Sequence, residues 1–205
     1  MKNVDLKKLE NLMANKVMAG KVHHTGIAIE DLSNMLTNNQ KKEIEPQKMK
    51  IVIIPSGISK ENLDRFRTMS GVNIANGIDN TYVSNDESFT KFVHTIETIK
   101  PTLIVAGSRG AELVARLLKD VSDKYKGKIL LFGAVQLTQV FEANNNNLWL
   151  VLVHGVKDSN EQINSVRGLV AAHKKAKLIE AKDKGHNLIF EESVLVNVIR
   201  YVYSI

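Results

Sequence analysis

The chain has 205 residues, a length typical of one domain and sufficient to bury a sizeable core. With 43% hydrophobic and 24% charged residues, its composition is that of an ordinary globular protein. No apolar run approaches the ~20 residues that a membrane-spanning helix needs. Because the chain contains no cysteine, disulfides, thiol nucleophiles and cysteine metal sites are excluded.

The net charge of +6 does not by itself indicate a nucleic-acid partner. The lysines are scattered rather than banded, and aromatic residues, at 5%, are too few for a platform on which single strands could stack. The polar start of the chain, residues 1–5, lacks the apolar stretch of a secretion signal. We therefore expect a cytoplasmic protein without a membrane span or a nucleic-acid partner; the sequence leaves its oligomeric state open.

The first 48 residues differ in pattern from the rest of the chain. One amphipathic helix is predicted from apolar residues at helical spacing, namely Leu6, Leu9, Met13 and Val17. Residues 23–29 fit either a short strand or an extended segment, and residues 38–50 fit a polar linker. We assign residues 1–48 to an N-terminal helical extension or linker of unknown role, and residues 49–205 to the main domain.

From residue 51 onward, short apolar runs alternate with amphipathic helical patterns. The predicted strands are 51–54, 72–75, 103–106, 129–132, 148–153 and 178–180. Continuous apolar runs such as Ile51 to Ile54 are typical of strands that are buried on both faces. The sequence therefore predicts an α/β domain with a mostly parallel central sheet of about six strands and helices on both faces.

Polar residues follow three of these strands at the sheet edge where parallel sheets bind ligands. Ser108 lies in a strand-to-helix turn, Ala106-Gly107-Ser108-Arg109-Gly110, whose small residues allow a tight backbone bend. Asp158 ends the run His154-Gly155-Val156-Lys157-Asp158, and His186 comes later, after Gly185. The order along the chain is serine, aspartate, histidine.

These three residue types are the ones that nucleophilic catalysis by serine requires. A serine hydroxyl needs a base, for which imidazole is suited, and the imidazole needs a carboxylate to fix its tautomer. We assign Ser108 as nucleophile, His186 as base and Asp158 as orienting acid. Backbone N–H groups of Arg109 and Ile58 are the predicted oxyanion donors, the latter from the turn Ser56-Gly57-Ile58.

The same residues could instead serve purely structural roles. Ser108 and Asp158 are both residue types that cap helices, and His186 could be a surface histidine. Asp183 is a second candidate for the acid, and Arg109 has helical spacing for an ion pair with Glu112.

Residues 49–205 resemble the small, nearly lidless α/β-hydrolases, which include dienelactone-hydrolase-like and carboxylesterase- or thioesterase-like proteins. The resemblance rests on the turn at 106–110, on the loop at 154–158 and on Gly185-His186. It implies an α/β-hydrolase fold with minimal or no lid, and cleavage of a small ester or thioester through an acyl-enzyme intermediate. Two departures are Ala106, where glycine is usual, and Ser56, where histidine is frequent.

The substrate pocket is expected to take its walls from residues 133–141 and 76–84. The candidate pocket residues are Ser56, Gly57, Val135, Leu137 and Phe141. The last three favour an apolar acyl or alcohol group. We expect no metal site and no cofactor, and a small-molecule ester or thioester as the partner.

Two further function classes stay open. The same fold can serve as a binding protein without turnover. Alternatively, residues 107–111 could hold a phosphate at a helix N-terminus, as in a nucleotide-binding Rossmann-like protein. The full G-x-G-x-x-G motif is missing, which weighs against the second alternative.

Overall fold

A parallel sheet forms the centre of the protein. The computed structural model describes residues 26–36, 50–69, 72–74, 86–145 and 147–205. The strands of the sheet are β1 (Gly26–Ala28), β2 (Ile51–Ile53), β3 (Val72–Ile74), β4 (Leu103–Gly107), β5 (Lys128–Phe132), β6 (Leu150–Gly155) and β7 (Ala176–Ala181). They pair in the order β1-β7-β6-β5-β4-β2-β3, and every pairing is parallel. The predicted parallel α/β sheet is confirmed.

Helices cover both faces of this sheet. They are α1 (Leu32–Met35), α2 (Lys60–Thr68), α3 (Asp86–Ile99), α4 (Gly110–Asp120), α5 (Leu137–Asn144), α6 (Ile163–Ala172) and α7 (Glu192–Ser204). One core cluster contains residues of α3, α4, α5 and α6, and the other contains residues of α1, α2 and α7. In β2, Val52 belongs to the first cluster and Ile53 to the second, and both are fully buried. This double burial explains the unbroken apolar runs in the strand sequences.

The edge strand β1 comes from the segment assigned to the N-terminal extension. It pairs with residues 178–180 of β7, and Leu32 and Leu36 are buried in the core on the side of α7. The described part of this segment therefore completes the sheet. The predicted helix near residues 6–17 and most of the predicted linker lie outside the described residues.

The structure corrects the part of the predicted pocket-lining loop that covers residues 137–141, which form a helix. Helix α5 begins at Leu137, and its buried residues recur at helical spacing: Leu137, Val140, Phe141 and Asn144. Leu137 and Phe141 are each 1% exposed and belong to the first core cluster. They are core residues and do not line a pocket.

Lys128 fastens the end of the last helix to the sheet. Its Nζ donates to the carbonyl oxygens of Val202 at 2.8 Å, Tyr203 at 3.2 Å and Ile205 at 2.7 Å. A cation at a helix C-terminus complements the helix dipole. Burial lowers the pKa of Lys128. Within the described ranges, no helix is long and apolar enough to cross a membrane.

The edge pairing of β1 depends on the absence of a side chain at Gly26. A Cβ atom there would overlap the carboxylate of Glu180, which is 7% exposed. Arg167 holds that carboxylate with two hydrogen bonds, of 2.8 and 2.6 Å, and these bonds raise the pKa of Arg167. The carboxylate is therefore not free to move aside.

We predict that Gly26→Ala lowers the free energy of unfolding by about 1–3 kcal/mol, because the added methyl group overpacks this edge. Urea unfolding measures the change. Gly185→Ala is the control, since a Cβ atom there meets its nearest neighbour at an ordinary 3.5 Å. Equal stability of the two variants would contradict the docking of β1 described here.

Candidate active site

Ser108 sits in a left-handed backbone conformation between β4 and α4. Its φ angle is +42°, which costs a residue with a side chain roughly 1–2 kcal/mol. The N–H of Ser108 donates to the carbonyl oxygen of Phe132 at 3.0 Å, and this bond fixes the turn to β5. Strained residues of this kind cluster at functional sites.

Two glycines allow the turn after β2 to press against Ser108. Gly57 has a φ of +76°, and a Cβ atom on it would collide with the carbonyl of Gly107 and lie 2.5 Å from Ser108 Cβ. A Cβ atom on Gly107 would in turn lie 2.7 Å from the carbonyl oxygen of Gly57. The two turns therefore approach as closely as their backbones permit.

The three residues predicted to cooperate lie in one hydrogen-bonded chain. Ser108 Oγ is 2.9 Å from Nε2 of His186, and Nδ1 of His186 is 2.9 Å from Oδ2 of Asp158. The His186 side chain is 25% exposed, and that of Asp158 is fully buried. Because a carboxylate accepts, Nδ1 carries the proton and Nε2 is left to accept from the serine hydroxyl.

Asp158 is held at both carboxylate oxygens. Oδ1 accepts from the backbone N–H of Asn160 at 2.8 Å, while Oδ2 faces His186. Oδ1 therefore closes a turn within residues 158–160 while Oδ2 orients the imidazole; Asp158 does not cap α6, which begins at Ile163 with Gln162 as its N-cap residue. Ser108 does not cap α4, because that helix has no side-chain cap and the serine hydroxyl lies against His186.

The two predicted oxyanion donors differ in their surroundings. Arg109 N–H lies at the uncapped start of α4, where backbone N–H groups have no acceptor within the helix and the helix dipole favours negative charge. Ile58 N–H instead donates to the carbonyl oxygen of Pro55 at 3.1 Å. The role of Ile58 as an oxyanion donor stays a prediction, since its N–H already has an acceptor.

No protein-family model and no curated protein matches the chain. Solved structures do match. A protein of Pectobacterium atrosepticum described as a YdeN-like hydrolase gives a TM-score of 0.58 at 10% identity, with 86% of this chain and 97% of that one covered. Esterase 2 of Thermogutta terrifontis gives a TM-score of 0.53 at 11% identity, with 80% of this chain and 86% of that one covered. A protein of Xanthomonas campestris described as a hydrolase of the alpha/beta superfamily gives a TM-score of 0.53 at 13% identity, with 77% of this chain and 98% of that one covered.

The chain has the α/β-hydrolase fold. In this α/β-hydrolase fold the carboxyl ends of β4, β6 and β7 carry Ser108, Asp158 and His186 respectively. The ends of parallel strands meet at one sheet edge. Asp158 and Ser108, which precede His186 by 28 and 78 positions in the sequence, therefore both reach its ring.

The predicted pocket residues divide into two groups. Gly57 is exposed and Val135 is half-buried, and Val135 N–H lies 3.4 Å from the carbonyl oxygen of Ser108. Ser56 is 2% exposed, and its Oγ has no hydrogen-bond partner among the described residues, so its side chain does not line an open pocket. Leu137 and Phe141 are core residues, and residues 76–84 lie outside the described part of the chain.

Arg109 and Asp183 both form ion pairs away from the imidazole. Arg109 Nε lies 3.6 Å from Oε1 of Glu112, as the helical spacing predicts. Asp183 is exposed and pairs with Lys157 at 3.3 Å, so it does not take the place of Asp158 beside His186.

Sequence reasoning missed Gln136 and Glu161, which connect the loops around this site. Gln136 N–H donates to Oε1 of Glu161 at 2.9 Å. Neither residue belongs to a motif, and 25 positions separate them, so no local pattern could have paired them.

We predict that Gly57→Ala destabilises the α/β-hydrolase fold by about 2–4 kcal/mol, because it adds a left-handed backbone penalty to a collision with Gly107. Thermal or urea unfolding measures the loss, again against Gly185→Ala. A Gly57→Ala protein as stable as the control would contradict the close packing of the two turns.

Proposed function

We propose that the protein is a serine hydrolase that cleaves a small carboxylic ester or thioester through an acyl-enzyme intermediate. The observation that carries this proposal is the hydrogen-bonded chain from Ser108 Oγ through His186 to the buried carboxylate of Asp158. Its two links, of 2.9 Å each, are within the range of good hydrogen bonds. The strained backbone of Ser108 supports the same role.

In the first half of the reaction, Ser108 Oγ attacks the carbonyl carbon of the substrate as its proton passes to Nε2 of His186. The tetrahedral intermediate collapses, the bond to the leaving alcohol or thiol breaks, and that leaving group takes the proton from Nε2. Asp158 stabilises the imidazolium that exists between these two transfers. The product of this half is an ester of Ser108.

In the second half, a water molecule takes the place of the leaving group. His186 removes a proton from the water, and the hydroxide attacks the carbonyl carbon of the acyl-enzyme. The resulting tetrahedral intermediate collapses, the bond from that carbon to Ser108 Oγ breaks, and His186 gives its proton to Oγ. The carboxylic acid leaves, and the free enzyme is restored. Because His186 transfers a proton in both halves of the reaction, its orientation by Asp158 matters in every step.

The oxyanion is proposed to accept from Arg109 N–H, with α4 adding its positive dipole end. For Ile58 to act as the second donor, its N–H has to exchange the Pro55 carbonyl for the oxyanion. This exchange would require the turn at residues 55–58 to reorganise, and a donor that must reorganise stabilises the transition state less than one already aimed at it.

Two observations agree with this proposal. One structural neighbour is an esterase that is phosphoramylated by tabun, which is consistent with a nucleophile that reacts with organophosphorus compounds. Small substrates are proposed because the described connections after β5, β6 and β7 run directly to the next helix or strand, without an inserted lid.

A binding protein without turnover is the second candidate. The engaged N–H of Ile58 favours it, because a hydrolase gains from having both oxyanion donors free. A phosphate loop would lack the N–H of Ser108, which donates to the carbonyl oxygen of Phe132, and the G-x-G-x-x-G motif is missing; both weigh against this alternative.

We predict hydrolysis of short-chain p-nitrophenyl esters by the wild-type protein. Ser108→Ala should lower kcat/KM by at least about 1,000-fold, because the nucleophile is lost. Asp158→Asn should lower it by a comparable factor, because the carboxylate no longer fixes the tautomer of His186. Release of p-nitrophenol measures both. Asp183→Asn is the matched control and should retain activity, since Asp183 is exposed and pairs with Lys157.

Wild-type protein that binds acyl compounds without turnover would support the binding function instead. Equal losses in Asp158→Asn and Asp183→Asn would contradict the assignment of the acid.

A further inference from the structure

Gln136 precedes α5 in a left-handed conformation with φ of +56°. Its backbone N–H donates to the carboxylate of Glu161 at 2.9 Å. Glu161 thus supplies, from a distant loop, the acceptor that a helix start needs. A carboxylate is a strong acceptor for this position, because its charge also complements the helix dipole.

The backbone of Glu161 is held from the opposite side. Nε2 of His154 donates to the carbonyl oxygen of Glu161 at 2.8 Å, and His154 is 1% exposed at the end of β6. The same Nε2 lies 3.8 Å from Oδ2 of Asp158. The main chain of Glu161 is therefore fixed to the sheet, and its side chain is fixed to α5.

Between these two anchors lies the loop that carries the acid. Asp158 N–H donates to the carbonyl oxygen of Gly155 at 3.0 Å, and Oδ1 of Asp158 accepts from Asn160 N–H. The loop between β6 and α6, residues 156–162, wraps around the buried carboxylate, and Glu161 lies near its end. A displacement of Glu161 would therefore displace the loop in which Asp158 sits.

The contacts of Gln136 continue to the nucleophile. Nε2 of Gln136 donates to Oε1 of Glu112 on α4 at 3.2 Å, and α4 begins two residues after Ser108. The neighbouring Val135 N–H lies 3.4 Å from the carbonyl oxygen of Ser108 itself. The segment at residues 135–136 thus contacts the acid loop on one side and the nucleophile turn on the other.

We propose that Glu161 is a positioning residue that fixes the loop of Asp158 to the turn of Ser108 through Gln136. This proposal rests on the proposed function for its catalytic consequence. Catalysis is sensitive to misplacements on the scale of 1 Å, and the His186 ring is shared between the two loops that Glu161 joins. Loss of the Glu161 acceptor should loosen the His186–Asp158 contact while leaving the substrate-facing surface intact.

The test compares Glu161→Ala with Glu161→Gln, because the amide oxygen of glutamine can still accept from Gln136 N–H. Glu142→Ala is the matched control, since Glu142 is an exposed residue on α5 itself. Two readouts are used: kcat and KM for p-nitrophenyl butyrate, and the low-field proton NMR signal of His186 Nδ1–H. Glu161→Met, which keeps the length of the side chain without its carboxylate, replaces the alanine variant if that variant unfolds.

The expected result is a fall in kcat of about tenfold for Glu161→Ala or Glu161→Met with little change in KM. The Nδ1 proton signal should broaden or disappear in the same variants. Glu161→Gln should recover to within about threefold of wild-type kcat and keep the signal, and Glu142→Ala should match the wild type in both.

An unchanged Nδ1 signal and kcat in Glu161→Ala would overturn the proposal, as would a Glu161→Gln variant as impaired as the alanine variant. The NMR readout separates this proposal from the proposed function. If the wild-type protein hydrolyses no ester, the proposed function fails, whereas loss of the signal in Glu161→Ala and its retention in Glu161→Gln still support the positioning role.

Discussion

The site depends on the left-handed backbone of Ser108, which lifts its hydroxyl out of the sheet edge and towards His186. A residue with a side chain adopts this conformation only where its surroundings enforce it. Here the enforcing contacts are the hydrogen bond to Phe132 and the close approach of Gly57 to Gly107. The core thus supplies the free energy that the turn costs, because β4 is buried on both faces and Gly110 and Ala111 at the start of α4 are buried.

The parallel sheet brings the other two residues of the site to Ser108. Its central strands β4 to β7 end at one edge, and the loops at 156–162 and 182–191 place Asp158 and His186 beside Ser108 there. Burial of the Asp158 carboxylate is tolerated because both oxygens accept hydrogen bonds. The proposed oxyanion donors are less fully arranged, since the N–H of Arg109 lies at an uncapped helix start whereas that of Ile58 donates to Pro55.

Much of this arrangement could be predicted from the sequence, since Ser108, Asp158 and His186 each follow an apolar run in a regular α/β pattern. Leu137 and Phe141 were assigned wrongly because an apolar side chain near a site suits a core helix as well as a pocket wall. The pairing of β1 with β7 and the contact of Gln136 with Glu161 left no local signal. Both depend on residues that are far apart in the chain.

The central claim is that His186 activates the hydroxyl of Ser108, and covalent labelling by a fluorophosphonate tests it most directly. Peptide mass spectrometry locates the adduct, and intact mass follows its rate of formation. We predict one adduct per chain, on Ser108, in the wild-type protein, and labelling slower by at least about 1,000-fold in His186→Ala, where the hydroxyl is present without its base. An adduct on another residue, or equal labelling rates in the two proteins, would contradict the claim.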